Sequence, residues 1–460
     1  MIKTVFLCGN FSIIETVTIP YTEYLAMKAQ IVELQEQIRL LQNSRKSNTS
    51  STPPSHDLGR SNQKSLREPS KRKTGGQEGH KGTTLQMEAN PDKIIENRPD
   101  FCKQCGEALA QQSATLVSRK QEIVLPPITP QYIEYQSYSC ICGKCGFITI
   151  TELPNHLKAN VQYSGQVNAW VAYFSVRQYI SYNRIAEIMR DCFGLPISEG
   201  TIDNILNNLT EKAQVVYEQI RKRVEQSPVV GGDETGIKIK NKNNKKGWLF
   251  TFQTPVLTFL AVSLSRGYET IHKLFENGFP ISVYVTDCLS AQLKVVAKLH
   301  QICIAHLLRE LTNFIDACQC HWSAKMKQLL KEAIELRSQL HPNDYTSPNK
   351  KVMHIQQQLD ELLCVDLEGK HKKVKAFINR LNKNHNAVLT FLYHPKVPPD
   401  NNSSEQSIRN AKVKMKVSGQ FKSFEGAQRY AVLRSVVDTT IKNSQNVLEA
   451  LNLLSLIPAV

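Results

Sequence analysis

Three acids far apart in the sequence stand where secondary structure can gather them. Asp233 and Glu234 lie in VVGGDETGIKIK, a strand-like run opened by a glycine pair. Successive strand side chains face opposite ways, so only one of the two can join a shared site, and Asp233 is the candidate. Asp287 ends the apolar run ISVYVTD, at a strand end where neighbouring strands converge on a crevice. Glu405 falls in DNNSSEQSIRNAKVKMK, where Ser403 or Ser404 can start a helix. Glu405, Arg409, Lys412 and Lys416 then recur at i, i+4, i+7 and i+11 on one helix face. A carboxylate followed by a cationic stripe suits a phosphodiester approaching carboxylate-bound Mg2+ or Mn2+. An exposed helix with a casual charge pattern gives the same spacing.

A second constellation is built from thiols. Cys102-Lys-Gln-Cys105-Gly and Cys142-Gly-Lys-Cys145-Gly have the spacing with which paired thiolates wrap one side of a Zn2+ tetrahedron. The glycine after each pair permits the tight knuckle. The intervening QEIVLPPITPQYIEYQSYS reads as strands that bring the pairs together. Four protein ligands leave no position for water, so this zinc holds a fold. Disulfides or plain buried thiols are the other readings, and Cys140 competes with Cys142 as the ligand.

These groups need elements to position them. At 460 residues the chain suggests about three domains, and its net charge of +16 points to a polyanionic partner such as nucleic acid. No apolar run reaches membrane-spanning length, and the start MIKTVFLCGNFSII lacks a cleavage site, so a reducing cytoplasm is expected. Tyr24, Met27, Ile31, Leu34, Ile38 and Leu41 form a heptad seam, read either as a short coiled coil or as one amphipathic helix on its own protein. Residues 43–85 are a Ser/Pro/Gly-rich basic linker. Its cations, Lys71, Arg72 and Lys73 among them, can track a phosphate backbone or simply solvate a tether. From 156 to 226 the pattern is helical, broken at Gly194 and Pro196, with Ser198 as the next N-cap; a helix-turn-helix and a small bundle both fit. VVGGDETGIKIK, GWLFTFQT, LTFLAVSLS and ISVYVTD read as strands, followed by long helices to about residue 390.

Taken in order, PPSHD with GGQEGHKG, the two knuckles, GLPISEGTIDNIL, DETG with WLF, SRGYE, VTDCLSAQ, HQICIAHLLREL and DNNSSEQSIRNAK carry a resemblance. They resemble the transposases of the bacterial insertion sequence 66 family over about residues 45–450, leaving the first twenty or so residues unmatched. The resemblance implies an RNase H-like core in which Asp233, Asp287 and Glu405 are a catalytic, Mg2+- or Mn2+-binding triad. It also implies that Cys303-Ile-Ala-His306 corresponds to a Cys-x-x-His motif supporting catalysis or positioning DNA. By spacing alone, His306 reads as a packed core histidine. The expected fold is a multidomain α+β/α/β chain. A short coiled coil (1–42), the linker (43–85), a zinc-binding domain (86–155) and a helix-turn-helix-like domain (156–226) precede the first part of the mixed-sheet core (227–311). A helical insertion (312–390), the second part of the core (391–440) and a C-terminal helical segment (441–460) complete the chain. The implied function is metal-dependent cleavage at element ends and strand transfer into target DNA. The chain would act as a homo-oligomer on DNA at the nucleoid, with small accessory proteins of the same element as further partners. A DNA-binding regulator, an inactive transposase remnant and a site-specific nuclease are the competing functions.

Overall fold

The computed structural model describes residues 2–6, 16–44, 79, 85–240, 246–366 and 371–458. Lys71, Arg72, Lys73 and nearly all of the basic linker lie outside the described residues. Strands β1 (Ile2–Phe6) and β2 (Thr16–Pro20) pair antiparallel and lead into helix α1 (Tyr21–Ser44). The α1 seam residues Met27, Ile31, Leu34 and Ile38 are each about half exposed.

Between the two cysteine knuckles the expected strands are absent. Residues 109–138 carry no strand, and only β3 (Ser139–Ile141) and β4 (Ile148–Ile150) pair around the second knuckle. Pro126, Pro127 and Pro130 explain the difference, because a proline has no N–H to give a ladder.

Helices α2 (Gly165–Ala172), α3 (Tyr182–Phe193) and α4 (Glu199–Glu225) come next, with a π-helical turn at Tyr173–Arg177. Gly194 ends α3 at φ 64°, and Ser198 caps α4 by accepting the Thr201 amide at 3.1 Å. α4 is a single helix whose Ile202, Leu206, Leu209, Ala213, Ile220 and Val224 belong to the same hydrophobic cluster as Phe250, Phe252 and Phe259 of the sheet. Segment 156–226 therefore shares its core with the sheet instead of closing on itself.

The sheet holds five strands: β5 (Val229–Ile237), β6 (Gly247–Gln253), β7 (Thr258–Ser263), β8 (Phe279–Thr286) and β9 (Ala297–Ile302). Their order is β7-β6-β5-β8-β9, the first three antiparallel and β8 and β9 parallel to β5. The short helices α5 (Tyr268–Leu274) and α6 (Ser290–Leu293) join strands. After β9 come α7 (Ile304–Cys318), α8 (His321–Gln339), α9 (Lys350–Leu363), α10 (Lys372–Lys383) and α11 (Thr390–Tyr393). Their apolar faces form one cluster with Val283, Val285 and Ile302 on one side of the sheet. The chain closes with α12 (Asn402–Ser418), α13 (Phe424–Lys442) and α14 (Val447–Leu456). α13 seals the free edge at β7: Ser435 Oγ accepts the Leu260 amide at 2.9 Å and Thr439 Oγ1 that of Thr258 at 3.1 Å. Side-chain hydroxyls thus occupy edge amides that would otherwise offer a template for another strand.

Candidate active site

Register brings the first two acids together. β5 and β8 run parallel with Gly232 opposite Thr286, so the next residues are Asp233 on β5 and, beside it, Asp287 just past the end of β8. Such positions are about 4.8 Å apart between backbones and face the same way. Asp233 Oδ1 accepts the Glu234 amide at 2.8 Å. Burial raises the Asp233 carboxyl well above the usual range, and the charges of Asp287 and Glu234 push it the same way.

His306, on the first turn of α7, ties Asp287 to Glu405. Its Nδ1 approaches Asp287 Oδ1 to 2.9 Å, and its Nε2 lies 3.7 Å from Glu405 Oε1. The Nδ1–Oδ1 approach is an ion-pair contact without the alignment of a hydrogen bond, and both atoms are buried without another partner. Burial opposes a charge on this ring, but Asp287 and Cys303 outweigh it and raise the imidazole to about 10. Arg309, one turn along α7, donates to Glu405 Oε1 at 3.2 Å and also stands 3.2 Å from His306 Nε2, where it works against that second ring proton. On geometry His306 is a junction between two acids, and not the inert core histidine that spacing alone allowed.

Glu405 is placed by Asn401, a residue that type and spacing alone do not single out. Helix α12 starts at Asn402, so neither Ser403 nor Ser404 is its N-cap. Asn401 is buried, and its Nδ2 donates to Gly232 O at 2.7 Å, on the residue before Asp233. Ser404 Oγ donates to Asn401 Oδ1 at 2.6 Å, and the Asn401 amide donates to Cys303 Sγ at 3.2 Å. One side chain and one amide thereby join β5, the start of α7 and the first turn of α12, the three elements that carry Asp233, His306 and Glu405. The glycine pair makes the approach feasible, because a Cβ on Gly231 would fall 2.7 Å from Ser404 Oγ and 2.9 Å from Asn401 Oδ1. The signal was available in the sequence: paired glycines inside a strand mark a close neighbour.

Glu234 turns to the other face, as alternation requires: Asp233 pairs with Thr251, and Glu234 with Phe250. Its buried Oε1 accepts two bonds from Arg266, at 2.7 and 2.9 Å, and Gln292 donates to Oε2. Burial raises its carboxyl, against the pull of Arg266 and Gln292. Trp248 is half-buried on the sheet, with Lys246 4.8 Å and Arg266 4.7 Å from its ring centre.

Along α12 the two faces separate cleanly. Ser404, Ser407, Ile408 and Ala411 are buried, while Arg409, Lys412 and Lys416 are exposed. Arg409 reaches back to Glu405 Oε2 at 3.7 Å with most of its side chain in solvent.

The two cysteine knuckles are built alike. Cys102 and Cys142 each accept an amide bond from the glycine four residues on, Gly106 at 2.9 Å and Gly146 at 2.8 Å. Those glycines have φ of +79° and +74°, the conformation that favours glycine. Amides of Cys105 and then Gln104 lower the Cys102 thiol, and those of Cys145 and then Lys144 lower Cys142, which favours the thiolate that zinc takes. Among the described residues, however, the acid, cysteine and histidine atoms that converge closely enough to share an ion are those of Asp287, Cys303 and His306.

Among the described residues, no helix is long and apolar enough to cross a membrane. Residues 14–86 match a family of unknown function. No curated protein matches the chain. The Transposase IS66 family matches residues 160–429, more than half of the sequence and a span that includes Asp233, Asp287, Cys303, His306 and Glu405, and the chain belongs to that family.

Proposed function

We propose that the chain cuts DNA at the ends of its element and joins the freed 3′-hydroxyl to target DNA, with Asp233, Asp287 and Glu405 holding the divalent ions. The observation that carries this reading is the convergence of Asp287 and Glu405 on the two nitrogens of His306, with Asp233 on the adjoining strand. An all-oxygen donor set suits Mg2+ or Mn2+. Two acids pressed together, one with its carboxyl driven high, are a place where positive charge is favoured. The strand order, three antiparallel and two parallel with the acids on the central pair, supports an RNase H-like core.

Divalent ions bound there supply the activation of a water or 3′-hydroxyl and the stabilisation of the leaving oxygen. The chain's own groups do the rest. His306 holds Asp287 through Nδ1, Arg309 holds Glu405, and Asn401 fixes the spacing of β5 and α12. Arg409, Lys412 and Lys416 bind the phosphates that flank the scissile bond, and Lys71, Arg72 and Lys73 add backbone attraction. Cys102, Cys105, Cys142 and Cys145 would hold a structural zinc that stiffens the segment before the core. The apolar seam of α1 pairs chains on DNA, and small proteins of the same element are further partners.

The test is cleavage of DNA carrying the element's ends, by purified protein with Mg2+ or Mn2+. Asp287→Asn is expected to abolish cleavage and leave DNA binding largely intact. Cleavage by this variant at the wild-type rate would overturn the triad, and cleavage without joined products in a plasmid integration assay would mark a nuclease.

A further inference from the structure

Close to the carboxylates stands a second kind of donor set. Asp287, Cys303 and His306 offer an oxygen, a sulfur and a nitrogen whose atoms all lie within 4.8 Å of one another. We propose that these three residues form a binding site for a thiophilic divalent ion, Zn2+ foremost, which shares Asp287 with the carboxylate site.

Geometry fits such an ion. Bonds of about 2.3 Å to sulfur and about 2.0–2.1 Å to nitrogen and oxygen place tetrahedral ligand atoms roughly 3.3–3.6 Å apart. Asp287 Oδ1 and His306 Nδ1, now 2.9 Å apart, need to part by about half an ångström to admit it, and an atom at the 4.8 Å limit of the group has to close in by about 1.2 Å. Both atoms are buried and make no aligned hydrogen bond, and the ion takes the place of the Nδ1 proton of His306 and of the Cys303 thiol proton, which pass to solvent.

The sulfur is prepared independently. Cys303 is fully buried and is the residue before the first turn of α7, where helix amides favour an anion. The Asn401 amide points at its Sγ from 3.2 Å. With three protein ligands, the fourth tetrahedral position is left to water.

The donors decide the choice of metal. Mg2+ takes hard oxygen ligands and has little affinity for a thiolate, whereas Zn2+ and Co2+ accept sulfur, nitrogen and oxygen together. Mg2+ therefore stays with the carboxylates, and Zn2+ draws Asp287 toward Cys303 and His306. The binding claim stands by itself. Its consequence, arrest of Mg2+-dependent cleavage by Zn2+ and recovery on chelation, rests on the function proposed above.

The experiment is a Co2+ titration of the metal-stripped full-length chain, monitored by near-ultraviolet thiolate-to-cobalt charge transfer, beside Cys303→Ser and His306→Gln. Any cobalt taken up by the four knuckle cysteines is common to all three proteins. The wild type is expected to bind one more equivalent than either variant and to show charge transfer that both variants lose. Zn2+ competition should give an affinity at this site lowered in each variant by upwards of roughly 100-fold. Metal-free thermal unfolding identifies a variant that fails to fold, in which case the other one carries the comparison. Equal stoichiometry and superimposable spectra in the three proteins overturn the site, as does survival in a folded His306→Gln of the charge transfer that Cys303→Ser loses. This readout needs no DNA, so an inactive enzyme with the extra cobalt band refutes the proposed function and keeps the metal site.

Discussion

Adding one methyl group at Gly231 tests how the active site is held together. The new Cβ would lie 2.7 Å from Ser404 Oγ, 2.8 Å from Gln253 Nε2 and 2.9 Å from Asn401 Oδ1, where ordinary contact begins at 3.4 Å. The start of α12 must therefore withdraw from β5 by roughly 0.5–0.7 Å. Overpacking of this kind costs about 1–3 kcal/mol of stability. The 2.7 Å bond from Asn401 to Gly232 O lies on the path of that withdrawal and stretches with it. Glu405 rides on the same turn, and a misplacement approaching 1 Å costs on the order of 100-fold in rate. Gly231→Ala is thus expected to cleave element-end DNA about 10–100-fold more slowly in Mg2+, with DNA binding little changed. Cleavage time courses, binding isotherms and thermal unfolding of the two proteins measure all three quantities. A variant that loses 1–3 kcal/mol yet cleaves at the wild-type rate would refute the mechanical link between β5 and Glu405.

Other perturbations separate charge, donor set and face. An acid whose carboxyl is raised by folding weakens the fold once pH exceeds its unfolded value of about 3.9. Asp233→Asn should accordingly raise the Tm in EDTA at neutral pH, and the gain should disappear in acid; an unchanged or lower Tm there goes against the crowding of the two acids. His306 has the opposite sign: a base raised to about 10 stabilises fully below about 6.5, and that stability is lost as pH rises through 10. In EDTA, the stability difference between wild type and His306→Gln should shrink steadily as pH rises from 7 to 9 in denaturant titrations, where a pH-independent difference would deny the charged ring. Asn401→Ala leaves Gly232 O and the Ser404 hydroxyl without their partner and should cost about 2–4 kcal/mol by the same titrations, while a cost under about 0.5 kcal/mol means the clamp is not used.

The order of the elements was legible because local chemistry and tertiary need agree. Runs such as GWLFTFQT are β-branched and aromatic, and they are buried in the sheet. Alternation separated Asp233 from Glu234 without any structure, since a strand leaves no choice. Three features were not legible. β9, AKLHQI, is short and only partly buried, and its one ladder is parallel, to β8 just before it. The segment between the knuckles looks strand-like by composition, but its prolines remove the donors. Asn401 carries no signal of its own in DNNSSEQ, because its role depends on a glycine pair some 170 positions earlier. Local propensity encodes an element, while a clamp between elements is written only in their meeting.

The central claim, that Asp233, Asp287 and Glu405 share divalent ions, is tested most directly by a crystal grown with Mn2+ and read by anomalous scattering. Two peaks about 4 Å apart, each ligated by carboxylate oxygens of these residues, are the predicted result. Mn2+ bound away from Asp233, or peaks that persist unchanged in Asp233→Asn, would contradict it.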